Sequence, residues 1–86
     1  MKLHELKIKE DYFYAILRGE KAFELRKNDR DYQVGDLIHF IKTDGLEYSS
    51  GYSKYVYKIT YILKDVPEYG LDKNYCILGI KKLEIR

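Results

Sequence analysis

At 86 residues the chain has room for one small domain and no second, so residues 1–86 read as a single domain. Its 45% hydrophobic and 35% charged residues suit a globular chain rather than a disordered one. The 16 Lys and Arg against 14 Asp and Glu leave a net charge of +2, which excludes strong global electrostatics: a polyanion must be met by a local patch.

The first strand is expected over Leu3–Lys9, where His4, Leu6 and Ile8 alternate with Glu5, Lys7 and Lys9. From Glu10 to Arg18 the period changes. Tyr12, Phe13, Ile16 and Leu17 fall at helical spacing, and Gly19 reads as the stop, since glycine takes positive φ at little cost. Lys21–Lys27 reads as a second strand, with Phe23 and Leu25 on one side and Ala22, Glu24 and Arg26 on the other. Asn28-Asp29-Arg30-Asp31 and Val34-Gly35-Asp36 are turns. A third strand covers Leu37–Thr43, with Ile38 and Phe40 opposite His39. Asp44-Gly45 makes a turn, and Ser49-Ser50-Gly51 lies in the most flexible-looking stretch. A long β-branched and aromatic strand follows over Tyr55–Lys64. Val66–Gly70 is a loop with one helical turn, and Asn74–Leu83 is the last strand.

One helix cannot cover both faces of a flat sheet. A mainly β, α+β fold is therefore expected, curled into a small open barrel with the helix at one end. The short links favour antiparallel neighbours.

A single cysteine, Cys76, sits in the apolar run Tyr75-Cys76-Ile77-Leu78 and reads as a small buried hydrophobe. With His4 and His39 as the only histidines, no zinc site is expected. His4 is expected in the core or at its rim, and His39 at the surface or rim. The opening Met1-Lys2-Leu3-His4-Glu5 has no secretory h-region and no apolar stretch is long enough to span a bilayer, so a cytoplasmic protein without a membrane partner is expected.

The chemistry concentrates at the helix–strand junction, Gly19-Glu20-Lys21-Ala22-Phe23-Glu24-Leu25-Arg26. Strand alternation puts Glu24 and Arg26 on one face, with Lys21 near the glycine turn, and Asn28, Asp29 and Arg30 follow. Cations and a carboxylate converging at a barrel mouth suit charge-assisted binding of a polar, partly anionic ligand. The alternative is a solvated strand face with an exposed Glu24–Arg26 pair.

The run Gly19-x-Lys21-x-x-Glu24-x-Arg26, with Asn28-Asp29-Arg30 and Val34-Gly35-Asp36, resembles the signature of the ASCH domains of the PUA-like superfamily. His4-Glu5-Leu6-Lys7-Ile8, Tyr12-Phe13 and Arg26-Lys27-Asn28-Asp29-Arg30 are similar to a small uncharacterised ASCH-like family of bacteria and phages. The resemblance implies a PUA-like open β-barrel and an RNA- or nucleotide-like ligand in a cleft. Lys21, Glu24, Arg26, Asn28 and Arg30 would line that cleft, with a stacking face from Tyr12 or Tyr32. No cofactor and no metal are implied, and a monomer is expected.

Some ASCH-type proteins are amidohydrolases of acetylated cytidine, with a threonine three residues after the motif lysine. Here Glu24 holds that place, so an enzyme of this kind would work through Lys21 and Glu24, on an acylated nucleoside. A third reading is a protein-interaction module built on the tyrosine-rich strand, Tyr57 included, since ten tyrosines are an unusual number for this length. Lys54, Lys58 and Lys64 interleave with Tyr55, Tyr57 and Tyr61, although parity puts Lys58 and Lys64 opposite those tyrosines.

Overall fold

The structure is a computed structural model and describes residues 1–44 and 49–83, with the backbone alone at positions 49 and 50. Strand β1 (Leu3–Lys9) buries His4, Leu6 and Ile8 and exposes the residues between them, as alternation requires. Helix α1 (Glu10–Leu17) follows without a break. Its first turn carries Glu10 and Asp11, which suit the positive end of the helix dipole, and Phe13 and Ile16 turn to the core. The helix ends in a Schellman motif: the Gly19 N–H donates to Ile16 O at 3.0 Å and the Glu20 N–H to Ala15 O at 2.9 Å. Gly19 takes φ +80 there, a conformation that side chains resist.

Four more strands complete the domain: β2 (Phe23–Lys27), β3 (Leu37–Thr43), β4 (Ser49–Leu63) and β5 (Tyr75–Lys82). Between the last two, Pro67–Tyr69 forms one 3₁₀ turn closed by Gly70 in the left-handed region. The turn expected at Asp44-Gly45 lies partly outside the described residues, while Ser49-Ser50-Gly51, expected to be flexible, opens β4.

The strands line up as β1-β3-β4-β5-β2. Antiparallel pairing holds for β3–β4, β4–β5 and β2–β5, but β1 pairs with β3 in parallel, contrary to the expectation from short links. The reason is that α1, β2 and the turn residues 28–36 together form a crossover long enough for a parallel return. Meanwhile β2 travels to the far edge and finds only β5.

The two edges are brought together by side chains. Arg26 on β2 donates from Nη1 to Lys7 O of β1 at 2.8 Å, and Arg30 donates to Glu5 O at 3.3 Å. A five-stranded sheet curled into a half-barrel results, with guanidinium groups across its seam. Leu6, Ile38, Phe40, Ile59 and Leu78 are fully buried inside it. Each such side chain contributes about 1.5–3 kcal/mol by leaving water. α1 packs on β1 and β3, with the Phe13 ring edge-on to Phe40 at 6.2 Å.

β4 departs from simple alternation. Its register against β3 slips between His39 and Ile41, where the Ser53 hydroxyl accepts from the Tyr55 N–H and donates to Tyr55 O. It slips again against β5 between Ile59 and Tyr61. This second bulge reverses the parity. Tyr57 and Ile59 point inward, whereas Tyr61 and Leu63 point outward across from Gly79 and Ile77. A Cβ on Gly79 would lie 3.3 Å from Thr60 Oγ1 and from Tyr61 Cβ, which is why that position has no side chain. The tyrosines at 57 and 61 therefore do not share a face. Tyr57, expected as an interaction residue, is instead a core residue 2% exposed.

Candidate functional site

β2 is amphipathic in the reverse sense. Its apolar residues Phe23 and Leu25 are exposed, while Glu24 is buried at 5% exposure and Arg26 is half-buried. Burying a lone carboxylate there would be prohibitive, so it must be paired. Lys21 Nζ donates to Glu24 Oε1 at 2.7 Å, and Arg26 Nη1 donates to Glu24 Oε2 at 3.1 Å. Each cation also holds a backbone carbonyl: Lys21 that of Phe23 at 2.8 Å, and Arg26 that of Lys7. Both carboxylate oxygens are engaged, and the triad carries one surplus positive charge.

The local backbone explains why Lys21 is available to this triad. Both the Glu20 and the Lys21 N–H groups donate to Ala15 O, so the residue after the glycine turn is tied to the helix end. Ile80 N–H donates to Ala22 O, which extends the β2–β5 ladder one residue outward and sets the direction in which β2 starts.

Lys21, Glu24, Arg26 and Tyr12, with Phe23 and Leu25, line an open cleft of about 330 Å³. Lys21 Nζ lies 4.9 Å from the centre of the Phe23 ring and 5.6 Å from that of Tyr12, and Tyr12 is 53% exposed. The cleft thus offers two cations beside two aromatic faces.

The structure brings Lys21, Glu24, Arg26 and Tyr12 together. Arg30 lies further along the seam, in a groove that it shares with Arg26 and Tyr32. Asn28 goes elsewhere. Its N–H donates to Asn74 O at 2.9 Å, and it faces a surface with Asp29, Asp72 and Lys73, away from the triad. Tyr32 is also corrected: it is 3% exposed and packs against the His4 ring at 4.7 Å, so it has no free face for stacking. Burial pushes its phenol up from the ordinary tyrosine value. Phe23 and Leu25 were not picked out from sequence, because an apolar residue on a strand reads as core.

His4 and Asp36 form the other buried polar pair, with Nε2 to Oδ2 at 2.9 Å. Asp36 also accepts from the Lys2 and Gln33 N–H groups at 3.0 Å each. The His4 hydrogen bond and the Lys2 amide hold the Asp36 carboxyl down at about 2, against a smaller opposing effect of burial. This pair anchors the start of β1 to the turn before β3 and touches none of the cleft residues named above. His39 is half-buried at the rim, with Nε2 2.8 Å from Ser53 O. Cys76 is a buried free thiol, pushed up by burial. Among the described residues no three His, Cys, Asp or Glu side chains come together as a metal site, and no helix is long and apolar enough to cross a membrane.

Residues 3–80 match a family described as a domain of unknown function, DUF3850. The chain belongs to this family. The DUF3850 domain is 46% identical over 37 residues to an uncharacterised 12.9 kDa protein of Escherichia phage P2. That match takes in 43% of this chain and 34% of the phage protein, about a third of the relative's length. Among solved structures, the crystal structure of the hypothetical protein PH0355 is similar over 96% of this chain and 100% of its own, with a TM-score of 0.64 and 20% identity. This likeness is one of fold.

Proposed function

We propose that this DUF3850 domain is a small RNA- or nucleotide-binding module of ASCH, PUA-like type, with its ligand in the cleft beside β2. The observation that carries the reading is the buried triad: Glu24 fixes Lys21 and Arg26 at the edge of a cleft flanked by Tyr12 and Phe23. Two oriented cations serve phosphate or base carbonyl groups, and an exposed aromatic ring serves a base face. The net charge of only +2 favours a short single-stranded target over tight non-specific binding to long duplexes. Such a module would act in the cytoplasm as a monomer.

The test is titration of short ribo-oligonucleotides at several salt concentrations. Affinity is expected to fall with salt, and to fall about tenfold or more in Lys21→Ala with the melting temperature little changed. Binding that ignores both salt and Lys21 would refute the reading.

The 2.7 Å Lys21–Glu24 contact also keeps the amidohydrolase reading in play. Against it, both oxygens of Glu24 are already taken by cations, which suits a clamp better than a base for water. Turnover of an acylated nucleoside, abolished in Glu24→Gln, would reverse that preference.

A further inference from the structure

Lys21 borders two openings. Besides the cleft described above, it walls a second pocket of about 270 Å³ between the end of α1 and the end of β5, with Ile16, Arg18, Tyr57, Ile80 and Lys82 among its other walls. Arg18 is held by Glu20 at 2.9 Å, whereas Lys82 has no carboxylate partner among the described residues and sits 4.5 Å over the Tyr55 ring. Tyr57 contributes the deciding feature. It is 98% buried, and its hydroxyl is enclosed with no hydrogen-bond partner in the protein. Buried hydroxyls are normally satisfied, and an orphan one in a pocket wall marks where an acceptor atom of a ligand can go. Three cations, one exposed acid and a buried donor define the ligand: a unit with a phosphate and an acceptor oxygen or nitrogen on a flat or apolar body.

We infer that this pocket is a second nucleotide subsite, joined to the cleft through Lys21, so that the species bound is at least two linked nucleotides rather than a single nucleoside. The inference rests on the nucleotide-binding reading of the cleft. The linking phosphate lies at Lys21, the outer phosphate meets Lys82, and the second base or sugar accepts from the Tyr57 hydroxyl.

The experiment compares the four ribonucleoside 5′-monophosphates with the sixteen ribodinucleotides, by calorimetric titration of wild type, Tyr57→Phe, Lys82→Ala and Lys21→Ala. The best dinucleotide is expected to bind about tenfold or more tighter than the best monophosphate. Tyr57→Phe and Lys82→Ala are expected to erase that advantage while leaving monophosphate affinity as in wild type. Tyr57→Phe keeps the ring and removes only an unsatisfied buried group, so its melting temperature should equal or exceed that of wild type. Loss of dinucleotide binding in a protein at least as stable is an outcome that a purely structural role for the hydroxyl does not produce.

Equal affinity for one and two nucleotides, or a dinucleotide advantage that survives both substitutions, overturns the second subsite and leaves the cleft standing. Binding of neither class, or binding indifferent to Lys21→Ala, overturns the cleft reading and the subsite with it.

Discussion

Glu24→Met tests whether the triad is a buried structural unit. The replacement keeps length and removes the charge that holds two cations, whose side chains are 17% and 23% exposed. Breaking a buried pair by deleting one partner costs about 3–5 kcal/mol. Here Lys21 retains Phe23 O and Arg26 retains Lys7 O, and both cations keep some water, so the lower part of the scale applies. A loss of about 2–3 kcal/mol follows. For 86 residues the unfolding entropy is about 0.18 kcal/mol/K, so the melting temperature should drop by about 11–17 °C. Urea unfolding gives the free energy and calorimetry the midpoint. Adding Lys21→Met removes one of the stranded cations and should recover about 1 kcal/mol of the loss. A loss below about 0.5 kcal/mol, with no recovery in the double variant, would mean that the triad behaves as an exposed pair and that the burial argument is mistaken.

Asp36 makes acid stability readable. Its carboxyl is held down at about 2, so the stability that it contributes is complete above the ordinary value of 3.8 and drains away as the pH falls through about 2. Asp36→Asn should cost about 2 kcal/mol at neutral pH, through lost charge-assisted hydrogen bonds, and its difference from wild type should shrink across that acid window in urea titrations. Cys76, fully buried and with its thiol pushed up, should react with an aromatic disulfide reagent only as the protein unfolds; fast labelling of the native protein would contradict its placement. Gly19→Ala, at φ +80 with open space around it, should cost about 1–2 kcal/mol from backbone strain alone, measured by thermal unfolding.

Strict alternation made β1 and β3 readable to the residue, since both bury one face against the same core. The helix stop at Gly19 was equally plain, because only one residue there takes the left-handed turn cheaply. The convergence of Lys21, Glu24 and Arg26 followed from parity on β2. What alternation could not convey was anything set by a bulge or a long-range partner. The slip near Thr60 separates Tyr57 from Tyr61, and no local pattern announces it. Parallel pairing of β1 with β3 depends on where β2 goes, and β2 is placed by β5, more than fifty residues away. Tyr32 was misplaced for a related reason: a tyrosine in a polar loop looks exposed until the sheet curls over it. Asn28 leaves the site because its backbone joins the loop before β5.

The lone attachment of β2 also orders events during synthesis. As the chain emerges from its amino end, Lys21, Glu24 and Arg26 are made early, yet their strand has no neighbour until Tyr75–Lys82 has followed. Closing so long a loop carries an entropic cost that only the completed sheet offsets. Until then Phe23 and Leu25 lie on an unpaired segment, and the carboxylate of Glu24 remains in water with nothing to compel its burial. The cleft is thus the last part of the domain to exist. A chain halted before β5 would have the helix and most of the sheet, and no site at all.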